Sequence, residues 1–120
     1  MKFTNYEIYN IAMAYQDAFT DFKAYIPAKA NFKLQKNIAA ITAAAAEIDK
    51  LRVEILKQYG EEKDGSFSVL KENADIAQSE LNDLLMQEQE IDIKTLNIDA
   101  FGSVEFTPLQ MQVLMFMIED

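Results

Sequence analysis

The chain has 120 residues, half of them hydrophobic, and carries 11 basic against 20 acidic side chains for a net charge of −9. It contains no Cys, His or Trp, which excludes disulfides, thiol nucleophiles, zinc–thiolate centres and histidine general bases. The acidic balance disfavours a broad nucleic-acid-binding surface. The length suits one helix-rich domain over residues 1–120. No apolar run reaches the ~20 residues needed to span a bilayer, and Met1-Lys2-Phe3-Thr4-Asn5 lacks a signal-peptide core. The expectation is a chain neither secreted nor transmembrane.

In chain order, Thr4 and Glu7 have the capping-box spacing of a helix start. Ile8, Ile11, Ala12, Tyr15, Phe19, Phe22 and Ile26 then recur at helical intervals, and Pro27 ends the pattern with a short corner at Tyr25 to Ala28. From Ala28 to Tyr59 there is neither Gly nor Pro, and good helix formers dominate. Leu34, Ile38, Ile41, Ala45, Ile48, Ile55 and Tyr59 mark the seam of one very long helix, with Arg52 in the remaining seam position. This helix should pair antiparallel with the first over its first half, and Gly60 reads as a left-handed cap.

Glu61 to Gly65 reads as a polar loop with Asp64-Gly65 as its turn signal, and its carboxylates do not match a calcium loop. Ser66 to Val69 alternates as a short strand. Lys71 to Gln89 predicts a third helix with Ile76, Ala77, Leu81, Leu84 and Leu85 on one face. Glu90 to Lys94 switches to a period of two, a half-buried strand with Glu90 and Asp92 in solvent, and Val104 to Phe106 reads as a second short strand. Thr107-Pro108-Leu109-Gln110 opens a C-terminal helix. The expected architecture is mainly α with a small β element. It comprises an antiparallel helical hairpin with one very long helix, a third helix, a short two- or three-stranded antiparallel sheet and a C-terminal helix.

Catalytic parts are missing: Ser and Thr have no His to activate them, and the glycines Gly60, Gly65 and Gly102 are too scattered for a phosphate loop. No enzyme, cofactor or metal is expected. Candidate interaction residues are of two kinds. Met111, Met115 and Phe116 lie on a C-terminal helix that is apolar nearly all round, so the fold encloses it or another chain covers one side. Lys29, Lys33 and Lys36 share one face of the long helix. They belong to a basic N-terminal third: residues 1–37 carry five lysines against three acids, while the remainder carries 6 basic and 17 acidic side chains. Arg52 calls for a carboxylate, with Glu47 or an acid on a facing element as the structural partner.

Ile26-Pro27-Ala28-Lys29, Lys36-Asn37, the helix around Arg52, and Tyr59-Gly60-Glu61 leading to Asp64-Gly65 form a recognisable order. Leu84-Leu85 to Glu88, Glu90-Ile91-Asp92-Ile93 and Leu114-Met115-Phe116-Met117-Ile118-Glu119 continue it. Over about residues 25–120 the chain resembles small uncharacterised proteins encoded by tailed bacteriophages and prophages. The resemblance implies a phage origin, with the host bacterial cytoplasm or the virion as its location, and assigns no catalytic residue. The expected function is protein–protein association without catalysis, as a virion component or assembly factor, with self-association or a protein partner. Two alternatives are an acidic inhibitor of a host defence or nucleic-acid-processing enzyme, and a small-molecule binder or enzyme. Direct nucleic-acid binding, membrane binding and an obligatory small molecule are not expected.

Overall fold

A computed structural model describes residues 1–63 and 65–119, with the side chains of Glu62, Lys63, Ser66 and Phe67 left aside. The element order is β1 (Lys2–Thr4), α1 (Asn5–Phe19), α2 (Ala28–Tyr59), β2 (Gly60–Lys63), β3 (Ser66–Val69), α3 (Ala74–Met86), β4 (Glu88–Glu90), β5 (Leu96–Asn97), α4 (Pro108–Leu114) and β6 (Ile118–Glu119). Short 3-10 turns precede α3, follow β5 and follow α4. The molecule is mainly α with a small β element, and it measures 55 × 29 × 21 Å.

The long dimension is α2. Its 32 residues run without a break from Ala28 to Tyr59, about 48 Å at the α-helical rise. Its buried side is Ala30, Leu34, Asn37, Ile41, Ala45 and Ile48, steps of three and four that keep one stripe facing inward. Two apolar cores lie along that stripe. One gathers Ile26, Ala30, Leu34, Leu96, Phe101, Leu114 and Met117. The other gathers Phe3, Ile8, Ile41, Ala45, Ile48 and Ile91. Ile93 and Phe116 pack against both. Beyond Ile48, α2 buries no residue fully; that end packs on α3 and the β2–β3 hairpin.

Both capping boxes form. Thr4 accepts from the Glu7 amide while the Glu7 carboxylate accepts from the Thr4 amide, and Thr107 and Gln110 do the same for α4. The first helix, however, ends at Phe19 and not near Ile26. Phe22 donates its amide to the Phe19 carbonyl at 3.2 Å, and leaving the helix lets its ring stack on Phe106 at 5.7 Å. That aromatic packing, with Ile26 entering the core, outweighs two more helical turns.

The strands differ most from expectation. Among the described residues the strands form three separate two-stranded pairs: β1–β4 and β2–β3 antiparallel, β5–β6 parallel. Glu61 to Lys63 is strand and not loop, with Lys63 opposite Ser66; Asp64 of the expected turn lies outside the described residues. Gly60 is extended (φ −134°) and not left-handed. It is required for another reason: a Cβ there would collide with the Ser68 carbonyl oxygen and lie 2.8 Å from that of Leu56. The third helix stops at Met86 because Glu88 to Glu90 pairs with Lys2 to Thr4. Val104 to Phe106 has no strand partner; Phe106 joins the aromatic cluster of Phe19, Phe22 and Phe101.

Two buried asparagines tie these segments to the helices. Asn5 donates to the Leu84 carbonyl at 2.8 Å and accepts from the Gln89 side chain at 2.8 Å. Asn37, fully buried, donates to the Lys94 carbonyl at 2.8 Å and accepts from the Lys94 amide at 2.7 Å. The period of two at residues 90–94 is therefore real, with Ile91 buried and Glu90 and Asp92 exposed. Past Glu90, Ile91 still pairs with Met1, donating its amide to the Met1 carbonyl at 2.9 Å, and at Lys94 the partner is a side-chain amide on a helix, where a neighbouring strand was expected.

Candidate functional site

The start of α2 builds an exposed cationic surface. Pro27 precedes the helix and offers no side-chain cap, and the first turn contains no acid. Lys29 therefore puts positive charge at the positive end of the helix dipole, a locally unfavourable placement. Lys33 and Lys36 continue the row at one-turn intervals, and all three are exposed. Lys33 Nζ donates to the Thr95 carbonyl at 3.2 Å, and Lys36 Nζ stands 5.6 Å from the centre of the Phe32 ring.

Phe32 lies among the lysines and is 63% exposed. Beside it opens a concavity of about 480 Å³ lined by Ala28, Lys29, Ala30, Phe32, Lys33, Leu96 and Ala100. Ala30 and Leu96 are core residues, so the floor is apolar and firmly held. Leu96 and Ala100 come from β5 and the 3-10 turn after it, more than sixty positions along the chain. Small side chains at positions 28, 30 and 100 create the hollow. An apolar hollow with an exposed aromatic edge and a cationic rim suits an apolar anchor carried on an acidic surface.

The three C-terminal candidates do not share a surface. Phe116 packs edge-on against Phe3, ring centres 6.1 Å apart, and belongs with both cores. Met111 is half-buried. Met115 is 59% exposed, while Val113, Leu114 and Met117 are buried. The fold thus encloses most of this segment, and α4 itself ends at Leu114 with a 3-10 turn beyond. Substituting Met115→Glu is expected to leave the thermal midpoint within about 3 °C of the parent, as followed by circular dichroism. Global unfolding of that variant would place Met115 in the core.

Arg52 finds an acid, but not Glu47. Its guanidinium donates to one Asp49 carboxylate oxygen from Nε at 3.1 Å and Nη2 at 2.9 Å. A residue three positions back lies on the same helical side, whereas one five positions back points well away. Both partners are more than two-fifths exposed, so the pair is a surface contact of small energetic weight.

A second surface, this one acidic, was not singled out by sequence reasoning. Glu72, Ile76, Glu80 and Asp83 follow each other at steps of four, four and three along α3 and the turn before it, with Asp75 alongside, and all are exposed. Ile76 is 52% exposed. Elsewhere, Tyr15, Phe19, Phe22 and Tyr25 line a hollow of about 430 Å³ with Lys23, Asn31 and Gln35 at its edge. Burial there raises the Tyr15 hydroxyl above the usual phenol value, opposed by its hydrogen bond with Gln35. Among the described residues, no group of three or more His, Cys, Asp or Glu is arranged to hold a metal. Among the described residues, no helix is long and apolar enough to cross a membrane.

Comparison of the chain with protein-family models, with curated proteins and with solved structures returned no match.

Proposed function

We propose that the chain is a non-enzymatic phage or prophage protein that works by protein–protein association, as a virion component or assembly factor. Its docking face is the start of α2. The observation that carries this reading is Phe32, whose ring stands 63% exposed beside an apolar hollow and between three lysines. An exposed aromatic ring flanked by cations leaves apolar area in water that a partner's anchor would cover. The phage setting, in the host cytoplasm or the virion, rests on the resemblance in segment order described above.

The exposed acids of α3 favour a second reading, an acidic inhibitor that occupies the basic channel of a host nucleic-acid-processing enzyme. One experiment separates the two. Phe32 is replaced by the photo-crosslinking residue p-benzoylphenylalanine, and the variant is irradiated both pure and in a bacterial lysate containing phage proteins. Adducts at position 32 with a phage structural protein or with the chain itself are the expected result. An adduct with a nuclease or polymerase from a companion variant that carries the same crosslinker at Ile76, on the acidic α3 face, supports the second reading, and the absence of any protein adduct at position 32 sinks the first.

A further inference from the structure

The α2 face and the α3 face are counterparts. On α2, Lys29, Lys33 and Lys36 surround an exposed Phe32; on α3 and its preceding turn, Glu72, Glu80 and Asp83 surround an exposed Ile76. Each is an apolar residue on a helix, bracketed at one-turn spacing by charges of a single sign. Among the described residues no ion pair neutralises any of these six charges; the pairs seen there include the N-terminus with Glu90, Arg52 with Asp49 and Lys94 with Asp92.

The two faces cannot meet within one molecule. Asn73, just before α3, donates to the Tyr59 carbonyl at 3.3 Å, which fixes the start of α3 at the far end of α2. Phe32 is in the second turn of α2, so about 40 Å of helix separates it from Tyr59. A 55 Å molecule therefore has a cationic, aromatic surface towards one end and an anionic, aliphatic surface towards the other.

We infer that the occupant of the α2 face is the α3 face of a second copy of this chain. The inference rests on the association reading above and names its partner. Charge complementarity is the argument: the chain supplies both the cationic hollow and the anionic helix that fits its rim, on surfaces that do not overlap. Such a contact is heterologous, joining different patches of identical molecules. A crossing of two helices with few apolar residues buries less area than a stable dimer needs, so the contact is weak and sensitive to salt.

The test uses the purified full chain in sedimentation velocity, across a concentration series at about 50 mM and about 500 mM salt, which shortens the screening length severalfold. Average mass should rise with concentration at low salt and fall back at high salt. Two double variants follow, Lys29→Glu with Lys33→Glu, and Glu72→Lys with Glu80→Lys. Each alone should associate at least about tenfold more weakly than the parent. Mixed in equal amounts they should recover association, because each retains the intact counterpart of the surface the other has lost. Helical circular dichroism confirms that both are folded.

A parent chain that stays monomeric at low salt overturns the inference, as does association that neither variant weakens or that the mixture does not restore. The photo-crosslink distinguishes the two levels of failure. Adducts at position 32 only with another protein overturn self-pairing and keep the association reading, whereas no adduct at all removes that reading too.

Discussion

Phe101→Ala is expected to cost about 4 kcal/mol, the range found when a buried ring is truncated to a methyl group. In a domain of this size that is a large part of a total stability of about 10 kcal/mol. Phe101 is 1% exposed and sits between Leu96, Leu114 and Met117 in the core at the start of α2. Its ring meets Phe106 edge-on at 5.1 Å, and Phe106 in turn contacts Phe19 and Phe22. The truncation therefore leaves a cavity and also removes an edge-to-face pair of about 1 kcal/mol. Urea unfolding measures the loss, with Phe32→Ala as the control: the same residue type, mostly in water, should change stability by less than about 0.5 kcal/mol. Similar costs for both would mean that Phe32 is packed and not a free surface residue.

The second large effect comes from a polar group. Asn37→Leu is expected to destabilise by about 3 kcal/mol, although leucine is nearly isosteric and suits an apolar stripe. The substitution removes the partners of both the Lys94 amide and the Lys94 carbonyl, and each orphaned backbone group carries its own desolvation cost. Asn37→Asp should not rescue it, because a carboxylate retains the acceptor and loses the donor, and it also places a charge where none is paired. Chemical denaturation of both variants checks this. A neutral Asn37→Leu would mean that solvent satisfies Lys94 without help.

Local chemistry made much of the helical skeleton legible. Both bounds of α2 followed from the absence of Gly and Pro between Ala28 and Tyr59, and the starts of α1 and α4 followed from Thr4 with Glu7 and Thr107 with Gln110. Apart from the local β2–β3 hairpin, the β pairs were less legible because a strand of two or three residues has no periodicity to read, and its partner lies far off; β1 and β4 are joined across more than eighty positions. Asn37 left a faint mark, since it falls between Leu34 and Ile41 at core spacing, where a polar residue needs a buried partner. Arg52 was assigned Glu47 or an acid on a facing element, and geometry along its own helix selected Asp49 instead.

The candidate surface was half-visible. Lys29, Lys33 and Lys36 share a helical side that spacing alone reveals. Phe32 could not be separated by sequence from the other aromatic residues, most of which are buried or half-buried. The hollow beside it depends on Leu96 and Ala100, which only the folded chain brings near. The C-terminal methionines show the converse: an apolar run left open whether the fold or a partner covers it, and the fold covers most of it.

Asn5 and Asn37 hold a single stretch of chain from two different helices, one gripping Leu84 and Gln89 and the other Lys94. Greasy contacts tolerate sliding, whereas an amide that bonds both groups of one residue recognises only that residue. Between the two grips the chain alternates, with Ile91 and Ile93 inward and Glu90 and Asp92 outward. Removing one residue there would force a choice: Asn37 loses Lys94, or the isoleucines exchange faces with the acids. The pair of amides thus counts residues, and the length of this connection is specified as strictly as its composition.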